Sequence, residues 1–390
     1  MAPSFRLERL TLARYRSYAA LALSLDAPIA LFVGPNGAGK TNLLEAVSLL
    51  APGRGLRGAR LADLARRAPG EATPGSWAVA GRFATPLGPL EVGTGMEGTE
   101  VPRRTFLVDG AQARSQAEVA ARVAMVWLTP QMGALFQEGA SERRRFLDRL
   151  VFALEPTHAR ELAAYETALA ERNRLLAAGR PDPAWLAGLE DSLARHGVAV
   201  AAARRSLIAA LNRTLERGVA GDFPRAVLAC ACPWAEALDR DPALAVEEAL
   251  KARLAADRAG DAEARVTRSG PHRADLALIH AESGMPAGLC STGEQKALLV
   301  SVILAHAALI GTARGFGPLL LLDEVAAHLD PRRREALFAV LAALPSQVLL
   351  TGTEPAPFAA LAGLAEAFAV EPGRVSALPF GPAQRRRAAL

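Results

Sequence analysis

Alternating apolar and polar residues predict strands at the start of the chain. Residues 5–12 and 21–25 alternate roughly, and Ile29–Val33 is a continuous apolar run typical of a buried strand. This run ends at the glycine-rich segment GPNGAGKT, after which the pattern predicts a helix from Asn42. Residues 51–110 are rich in glycine, proline and arginine and are interpreted as a meander with loops. The strand candidates within it are 77–83, 90–92 and 105–108.

The pattern changes to helix-forming residues between about Ser141 and Arg265. Leucines recur there at helical spacing, and prolines at 181, 183, 224, 233 and 242 exclude a long heptad coiled coil. We therefore predict a compact helical lobe at 141–265, inserted into an α/β lobe made of 1–140 and 266–390. The elements predicted after the helical lobe are a strand at 273–279, a helix at 294–310, a strand at 319–322, a helix after Pro331, a strand at 347–350 and a frayed tail, GPAQRRRAAL.

Composition indicates a folded protein and leaves the arginine excess open to two interpretations. The 390 residues are 51% hydrophobic and 22% charged, with a formal net charge of +5. Only Lys40, Lys251 and Lys296 are lysines among 45 basic residues. The excess reflects either GC-rich coding bias, which we favour for the excess as a whole, or contact with phosphate, which the guanidinium group suits.

Cysteine spacing and the chain's apolar runs predict a cytoplasmic protein without a zinc site. Cys230, Cys232 and Cys290 match no zinc-finger spacing. The N-terminal segment carries charges throughout and lacks the apolar centre of a signal peptide, and the run GPLLLLDE is too short to span a bilayer. We expect a reducing compartment and no membrane partner.

The segment from Gly34 to Thr41 matches the phosphate-binding loop G-x-x-x-x-G-K-[ST] without a mismatch. Its glycines allow backbone N–H groups to converge on phosphate oxygens. We expect Lys40 to contact the β- and γ-phosphates and Thr41 to offer its hydroxyl to Mg²⁺. The helix that follows directs the positive end of its dipole at the anion. The sequence therefore predicts a nucleoside triphosphate site.

An apolar strand that ends in two acids supplies the second half of this site. The strand is Leu319–Leu322, and Asp323 at its end is suited to hold Mg²⁺ through water. Glu324 is placed to polarise the attacking water as a general base. Paired with the phosphate-binding loop, the two acids predict hydrolysis.

The sequence STGEQK, from Ser291 to Lys296, opens the helix predicted at 294–310. It is either a helix start capped by Ser291 or a second anion site. One ATP cannot easily occupy both anion sites within one subunit. We therefore predict an ATP-bridged, head-to-tail homodimer in which each subunit's motif caps the ATP held by the other.

Together these motifs resemble an ABC-type ATPase head, with His328-Leu329-Asp330 as its D-loop. Within that class the chain resembles the RecF family of bacterial recombination mediators, relatives of the chromosome-maintenance and Rad-fifty heads. The resemblance runs nearly end to end. It is carried by LERLTLARYRSY, GPNGAGKTNLLEAVSLL, GRGLRGARLADL, SERRRFLDRL, ERNRLL, SGPHRADL, CSTGEQKALL, LLLLDEVAAHLD and QVLLTGTE. It implies an α/β fold, an ABC-ATPase-like P-loop NTPase head with an inserted, mainly helical second lobe.

The resemblance also implies a function in recombinational repair, DNA replication and the SOS response. A protein of this kind dimerises on ATP and clamps gapped or junction DNA without sequence preference. It is a weak DNA-dependent ATPase, and with the mediators RecO and RecR it helps to load the recombinase. The implied cofactors are ATP and Mg²⁺.

Site residues follow from the resemblance position by position. Glu324 is the catalytic residue, Thr41 and Asp323 hold the metal ion, and Gln131 is either a further metal contact or a loop residue. The residues assigned to the nucleotide are Gly34, Pro35, Asn36, Gly37, Ala38, Gly39, Lys40, Thr41, Asn42 and Arg57, with Ser291, Gly293, Glu294, Gln295 and Lys296 capping in trans.

Several positions depart from the motifs of the RecF family or of transporter ATPases, and three other classes of protein are alternatives. Gln131 stands where the family usually has an acid, the family often has acids other than Asp323-Glu324, and the residues at 351–353 replace a transporter's switch histidine. A transporter ATPase would need that histidine and a shorter interval between Thr41 and Ser291. A chromosome-maintenance head proper would need heptad arms. An ATP-gated scaffold with little hydrolysis stays open.

Clusters of arginine are candidates either for DNA contact or for solvated helix faces. They are Arg66-Arg67, Arg103-Arg104, Arg143–Arg145, Arg204-Arg205, Arg332–Arg334 and Arg385–Arg387. The sequence has no zinc finger, helix-turn-helix signature or aromatic stacking platform. We therefore expect any DNA binding to depend on the phosphate backbone and on salt.

Overall fold

A computed structural model describes residues 5–67, 75–97, 103–179 and 182–381. Pro181 and the arginine cluster at 385–387 lie outside these ranges, as does most of the tail. The chain divides into two compact units. The first contains residues 1–133, 218–223 and 299–390, and the second contains 134–217 and 224–298.

The strands alternate with helices along much of the chain. In order they are β1 Arg6–Tyr15, β2 Tyr18–Ser24, β3 Ile29–Val33, β4 Trp77–Thr85, β5 Gly88–Glu97, β6 Arg103–Val108, β7 Ala111–Gln112, β8 Met125–Leu128, β9 Ala226–Ala231, β10 Asp275–His280, β11 Leu319–Leu322, β12 Val348–Gly352, β13 Ala365–Glu371 and β14 Arg374–Leu378. The helices are α1 Lys40–Ser48, α2 Gln116–Arg122, α3 Ala140–Leu154, α4 His158–Ala177, α5 Pro183–Glu216, α6 Pro233–Ala237, α7 Ala243–Ala256, α8 Arg258–Ala264, α9 Thr292–Arg314 and α10 Pro331–Ala343.

The first unit contains the sheet that organises the nucleotide site. Its strand order is β14-β13-β3-β12-β11-β8, and every pair is parallel except β13 with β14. Strands β3, β8, β11 and β12 are buried along their whole length, which explains their continuous apolar sequences. Parallel strands end at the same edge of a sheet, so the segments that follow β3, β11 and β12 meet there.

A second six-stranded sheet in the same unit is an antiparallel meander. Its order is β2-β1-β4-β5-β6-β7, and β4 alternates buried and partly or fully exposed residues as a half-buried strand does. Phe5 and Phe83 stack in the core with ring centroids 5.2 Å apart. The structure confirms the predicted meander and extends its strands.

The second unit is mainly helical, as the sequence predicts. Leu193, Val198, Val246 and Leu250 are buried in a cluster formed by helices α5 and α7. Pro183 and Pro233 each stand at the beginning of a helix, where the missing N–H costs nothing. Helix α5 therefore runs for 34 residues without interruption. Of the prolines named as interruptions, Pro183, Pro233 and Pro242 stand at helix starts, and Pro224 precedes strand β9.

The unit also contains a two-stranded antiparallel sheet, β9 with β10. The sequence predicted β10 but placed it in the α/β lobe, and it did not predict β9. Because β10 pairs with β9, it belongs to the second unit, which continues to residue 298, whereas the sequence ended the helical lobe at residue 265. The first boundary falls at 133/134, against the predicted 140/141.

Helix α9 is one described helix that is long and apolar enough to cross a membrane by length and composition. However, 67% of its most apolar window is buried within the protein. Burial of that extent is what a core helix shows, and we describe α9 as one.

Candidate functional site

The phosphate-binding loop follows β3 directly, and its glycines are required by close contacts. A Cβ at Gly34 would lie 2.2 Å from the carbonyl oxygen of Val370 on β13. Gly37 and Gly39 have φ values of 82° and 109°, which L side chains rarely adopt. The loop therefore has its curved shape because glycine stands at these positions.

Lys40 is the first residue of α1, and its ammonium group lies inside the curve of the loop. Its Nζ donates hydrogen bonds to the carbonyl oxygens of Gly34 at 2.7 Å and Pro35 at 3.1 Å. The Nζ is also 3.7 Å from Glu324 Oε1, and Lys40 is only 3% exposed. The Lys40 ammonium is buried, and its closest partners are two uncharged carbonyl groups. It is therefore well placed to exchange these hydrogen bonds for stronger ones to phosphate oxygens.

Thr41 and the first acid after β11 are in direct contact. Thr41 Oγ1 donates to Asp323 Oδ1 at 3.1 Å, and Thr351 Oγ1 donates to the same oxygen at 2.8 Å. Burial raises the pKa of the Asp323 carboxyl, and the two hydroxyl donors oppose that rise. Glu324 follows with φ 52°, a left-handed conformation that is rare for a residue of this type.

The loop, α1 and Glu324 line a cleft that is open to solvent. The lining residues are Asn36, Gly37, Gly39, Lys40, Thr41, Asn42, Arg57 and Glu324. Among the described residues no three His, Cys, Asp or Glu side chains are grouped to hold a metal ion. A hydroxyl beside one carboxylate suits Mg²⁺, which is commonly bound by one or two carboxylates together with phosphate oxygens and water. The donor set therefore fits Mg²⁺ that arrives with a nucleotide.

Arg57 lines the same cleft, as the sequence predicted. Its NH1 donates to Asn42 Oδ1 at 2.9 Å and lies 3.7 Å from Glu45 Oε2. Glu45 is 1% exposed, and its two oxygens accept hydrogen bonds from Arg16 at 2.8 and 2.9 Å. The buried carboxylate on α1 thus holds one arginine firmly and attracts a second one towards the phosphate-binding loop.

The STGEQK motif lies in the second unit and forms a capping box at the start of α9. Ser291 Oγ accepts from the N–H of Glu294 at 3.3 Å, and the Ser291 N–H donates to Glu294 Oε2 at 2.8 Å. Gln295 is buried and donates to the carbonyl of Cys290 at 2.9 Å. The capped helix start is confirmed, whereas the trans role of Ser291, Gly293, Glu294, Gln295 and Lys296 stays a prediction.

Gln131 is exposed in a short 3₁₀ helix, Pro130–Ala134, after β8. It is not among the residues that line the cleft. Its neighbourhood is related to the site, because the N–H of Asp323 donates to the carbonyl of Leu128 at 2.9 Å. Its role as a metal contact stays a prediction.

Several arginines of the clusters that were candidates for DNA contact or solvated helix faces have internal partners. Arg143 pairs with Asp275 through two hydrogen bonds of 2.7 and 2.8 Å, and Arg144 donates to the carbonyl of Ala274. Arg204 is buried against Asp148. Arg104 donates to the carbonyls of Leu49, Ala51 and Gly53, and burial lowers its pKa to about 10. These arginines stabilise the fold.

Sequence reasoning missed three residues of the site: Glu45, Arg16 and Thr351. Each acts through a partner far along the chain, since Arg16 is 29 positions from Glu45 and Thr351 is 28 positions from Asp323. All three lie within segments that carry the family resemblance, LERLTLARYRSY, GPNGAGKTNLLEAVSLL and QVLLTGTE. Thr351 had a second signal, because residues 351–353 stand where a transporter has its switch histidine.

A glycine-rich loop between a buried parallel strand and a helix, with two acids after the next strand but one in the sheet, defines a P-loop nucleotide-binding head. The STGEQK motif at the start of α9 makes it a head of the ABC type. Known proteins agree with this class. Residues 6–375 match the model of the RecF/RecN/SMC N-terminal domain. The Smc head domain of Pyrococcus furiosus matches with a TM-score of 0.54 at 14% identity, covering 99% of this chain and 98% of its own.

Closer relatives narrow the class to one family. The DNA replication and repair protein RecF of Rhizobium etli is 46% identical over 371 residues, which cover 95% of this chain and 98% of that protein. The RecF of Mesorhizobium japonicum is also 46% identical, with 97% of its length covered. A solved structure described as the recombination mediator protein RecF with ATPrS in the RecFOR pathway matches with a TM-score of 0.84 at 22% identity, covering 97% of this chain and 99% of its own. The chain belongs to the RecF family.

Proposed function

We propose that this chain is an ATP-dependent DNA-binding protein of recombinational repair. In this proposal ATP and Mg²⁺ bind in the cleft, bridge two copies head to tail, and close them on gapped or junction DNA. Hydrolysis is slow and stimulated by DNA. The observation that carries the proposal is the cleft itself, which Lys40, Thr41 and Glu324 line and behind which Asp323 is bonded to Thr41. This arrangement supports the binding of phosphate, metal ion and water.

The residues divide the chemistry among themselves. Backbone N–H groups of the loop and the ammonium of Lys40 bind and orient the phosphates. The Thr41 hydroxyl and the Asp323 carboxylate would hold Mg²⁺, which neutralises developing phosphate charge when bound. Glu324 accepts the proton of the attacking water at its carboxylate. The Lys40–Glu324 pair keeps these two side chains at the cleft before ATP arrives.

Partners and location belong to the same proposal. The RecF–ATPrS structure is described as part of the RecFOR pathway. We therefore infer RecO and RecR as partners of this chain, a role in loading the recombinase, and a cytoplasmic location. The homodimer rests on the position of the STGEQK motif at the start of α9, where the helix dipole favours an anion. Within one chain the Glu294 carboxylate accepts from the Ser291 N–H and hydroxyl, and in the proposed dimer the ATP of the partner copy takes over these donors.

The DNA contact follows from the arginines that the fold leaves unused. Among the described residues, the side chains of Arg54, Arg60 and Arg66 form no hydrogen bond or ion pair. All three lie in the segment of residues 53–67, which also carries Arg57 into the nucleotide cleft. Unpaired guanidinium groups suit the phosphate backbone. We propose this segment as a DNA-contacting surface.

Replacing Arg54, Arg60 and Arg66 together with alanine is expected to weaken binding to gapped DNA and to flatten its salt dependence. Each lost phosphate contact makes the slope of log K against log salt less steep by about 1. The slope measured for the triple variant should therefore be less steep than that of the wild type by about 2 to 3. Fluorescence anisotropy across a salt series measures the slope.

ATP hydrolysis with and without the same DNA, measured on the wild type, tests whether DNA stimulates the activity.

Arg145→Ala is the matched control, because this exposed arginine already pairs with Glu142. It removes one positive charge at a site outside residues 53–67. A triple variant with the wild-type slope, or a control that lowers the slope as much per charge, would contradict the assignment of the DNA surface.

A further inference from the structure

Strand β12 occupies the central place in the sheet of the nucleotide site. It lies between β3, which leads into the phosphate-binding loop, and β11, which leads into the two acids. Thr351 is the fourth residue of β12, pairs in register with Phe32 on β3, and is 1% exposed. It does not line the cleft. A buried polar side chain at this place requires a hydrogen-bonding role.

The Thr351 hydroxyl is bonded to both acid residues at once. Its Oγ1 donates to Asp323 Oδ1 at 2.8 Å and accepts from the backbone N–H of Glu324 at 2.8 Å. A hydroxyl has one proton to donate, and here that proton is committed to the carboxylate of the first acid. Among the hydrogen bonds of the described residues, Thr41 and Thr351 are the two hydroxyl groups that donate to this carboxylate.

The two bonds serve different needs of the site. Thr41 also donates to Asp323 Oδ1, but its oxygen must face the metal ion when Mg²⁺ is held there. Thr351 is then the hydroxyl that keeps the carboxylate in place. Glu324 has left-handed backbone angles, φ 52° and ψ 20°, and its N–H is fixed by the same Thr351 oxygen. Left-handed backbone at a non-glycine residue persists only where its surroundings hold it.

We propose that Thr351 is a positioning residue for ATP hydrolysis. Its hydroxyl orients the Asp323 carboxylate towards the metal ion, and it fixes the Glu324 backbone so that the Glu324 carboxylate faces the attacking water. The inference rests on the proposed function of the cleft. It adds a residue of β12 to the site residues that follow β3 and β11. Thr351 touches neither the nucleotide nor the water. It acts through the two acids, and its contribution is the hydroxyl group and not the bulk of the side chain.

Thr351→Val tests this inference because valine keeps the shape of threonine and removes the hydroxyl. We expect kcat for ATP hydrolysis to fall about ten-fold or more, since a buried carboxylate and a strained N–H both lose a partner. The Mg²⁺ concentration that gives half of the thermal shift of the ATP complex should rise. ATP binding in EDTA should stay within about two-fold, because the phosphate-binding loop is unchanged. Thr351→Ser should restore wild-type behaviour in all three measurements.

Thr353→Val is the matched control, since Thr353 is exposed two residues further along the same segment. Wild-type kcat and Mg²⁺ response in Thr351→Val would overturn the inference, and so would a Thr351→Ser protein as impaired as the valine variant. A variant that loses ATP binding in EDTA to the same extent as kcat would also overturn it, because the defect would then be general. If the wild type itself shows no Mg²⁺-dependent thermal shift with ATP, the proposed function fails instead.

Discussion

Lys40→Ala is expected to weaken ATP binding by about 100-fold or more. Lys40 is buried and places its ammonium within 3.1 Å of two loop carbonyls, where the phosphates of a bound nucleotide would lie. Truncation of one partner in a buried, charged contact costs about 2–5 kcal/mol, and 2.8 kcal/mol corresponds to about 100-fold in affinity. Calorimetric titration with Mg²⁺-ATP measures the loss.

Lys251→Ala provides a control of the same residue type. Lys251 is exposed on α7 and pairs with Asp191 at 2.8 Å, in a contact typical of surface ion pairs. It should bind ATP as the wild type does. Tight ATP binding by a folded Lys40→Ala protein would contradict the assignment of the cleft as the nucleotide site.

Glu324→Gln is expected to reduce hydrolysis by about 100-fold or more while ATP binding is retained. Glutamine has the shape of glutamate but cannot accept the proton of the attacking water, and general-base catalysis contributes about 10²- to 10⁴-fold. The pair with Lys40 loses its charge, yet Lys40 keeps its two carbonyl partners. Single-turnover hydrolysis with gapped DNA present measures the rate, and nucleotide titration measures the affinity.

Glu354→Gln, at an exposed position shortly after β12, should leave the rate unchanged and controls for loss of an acid near the site. An unchanged rate in Glu324→Gln would show that Glu324 is not the base. A wild type that binds ATP and hydrolyses none would favour the ATP-gated scaffold over an active ATPase.

The residues of the proposed nucleotide site could be assigned from the sequence because the chemistry of such a site depends on local spacing. The loop from Gly34 to Thr41 must be glycine-rich wherever it occurs, since a Cβ at Gly34 would collide with the backbone of β13. Asp323 and Glu324 follow four consecutive buried leucines, which is the pattern of a central strand. Both motifs could therefore be read without knowledge of the strand order.

The supporting residues could not be predicted in this way because strand order decides their roles. Thr351 meets Asp323 only because β12 is inserted between β3 and β11. Strand β13 and the edge strand β14 were missed because their sequences mix alanine with charged residues and lack a clear period. Only tertiary contacts distinguish the arginines that support the fold from those that we propose for DNA contact. Arg143 and Arg54 look alike in the sequence, but only Arg143 has an acid partner.

In the proposed dimer, ATP joins two copies of this chain through the Ser291 motif. Light scattering after size exclusion, with and without Mg²⁺ and a non-hydrolysable ATP analogue, tests it on the wild type beside Ser291→Arg. Ser291 is exposed, so the substitution should cost little more than a helix cap, about 1 kcal/mol of stability. We expect a monomer without nucleotide, a dimer with the analogue, and a Ser291→Arg protein that stays monomeric with it. A wild type that stays monomeric with the analogue, or a Ser291→Arg protein that dimerises, would contradict it.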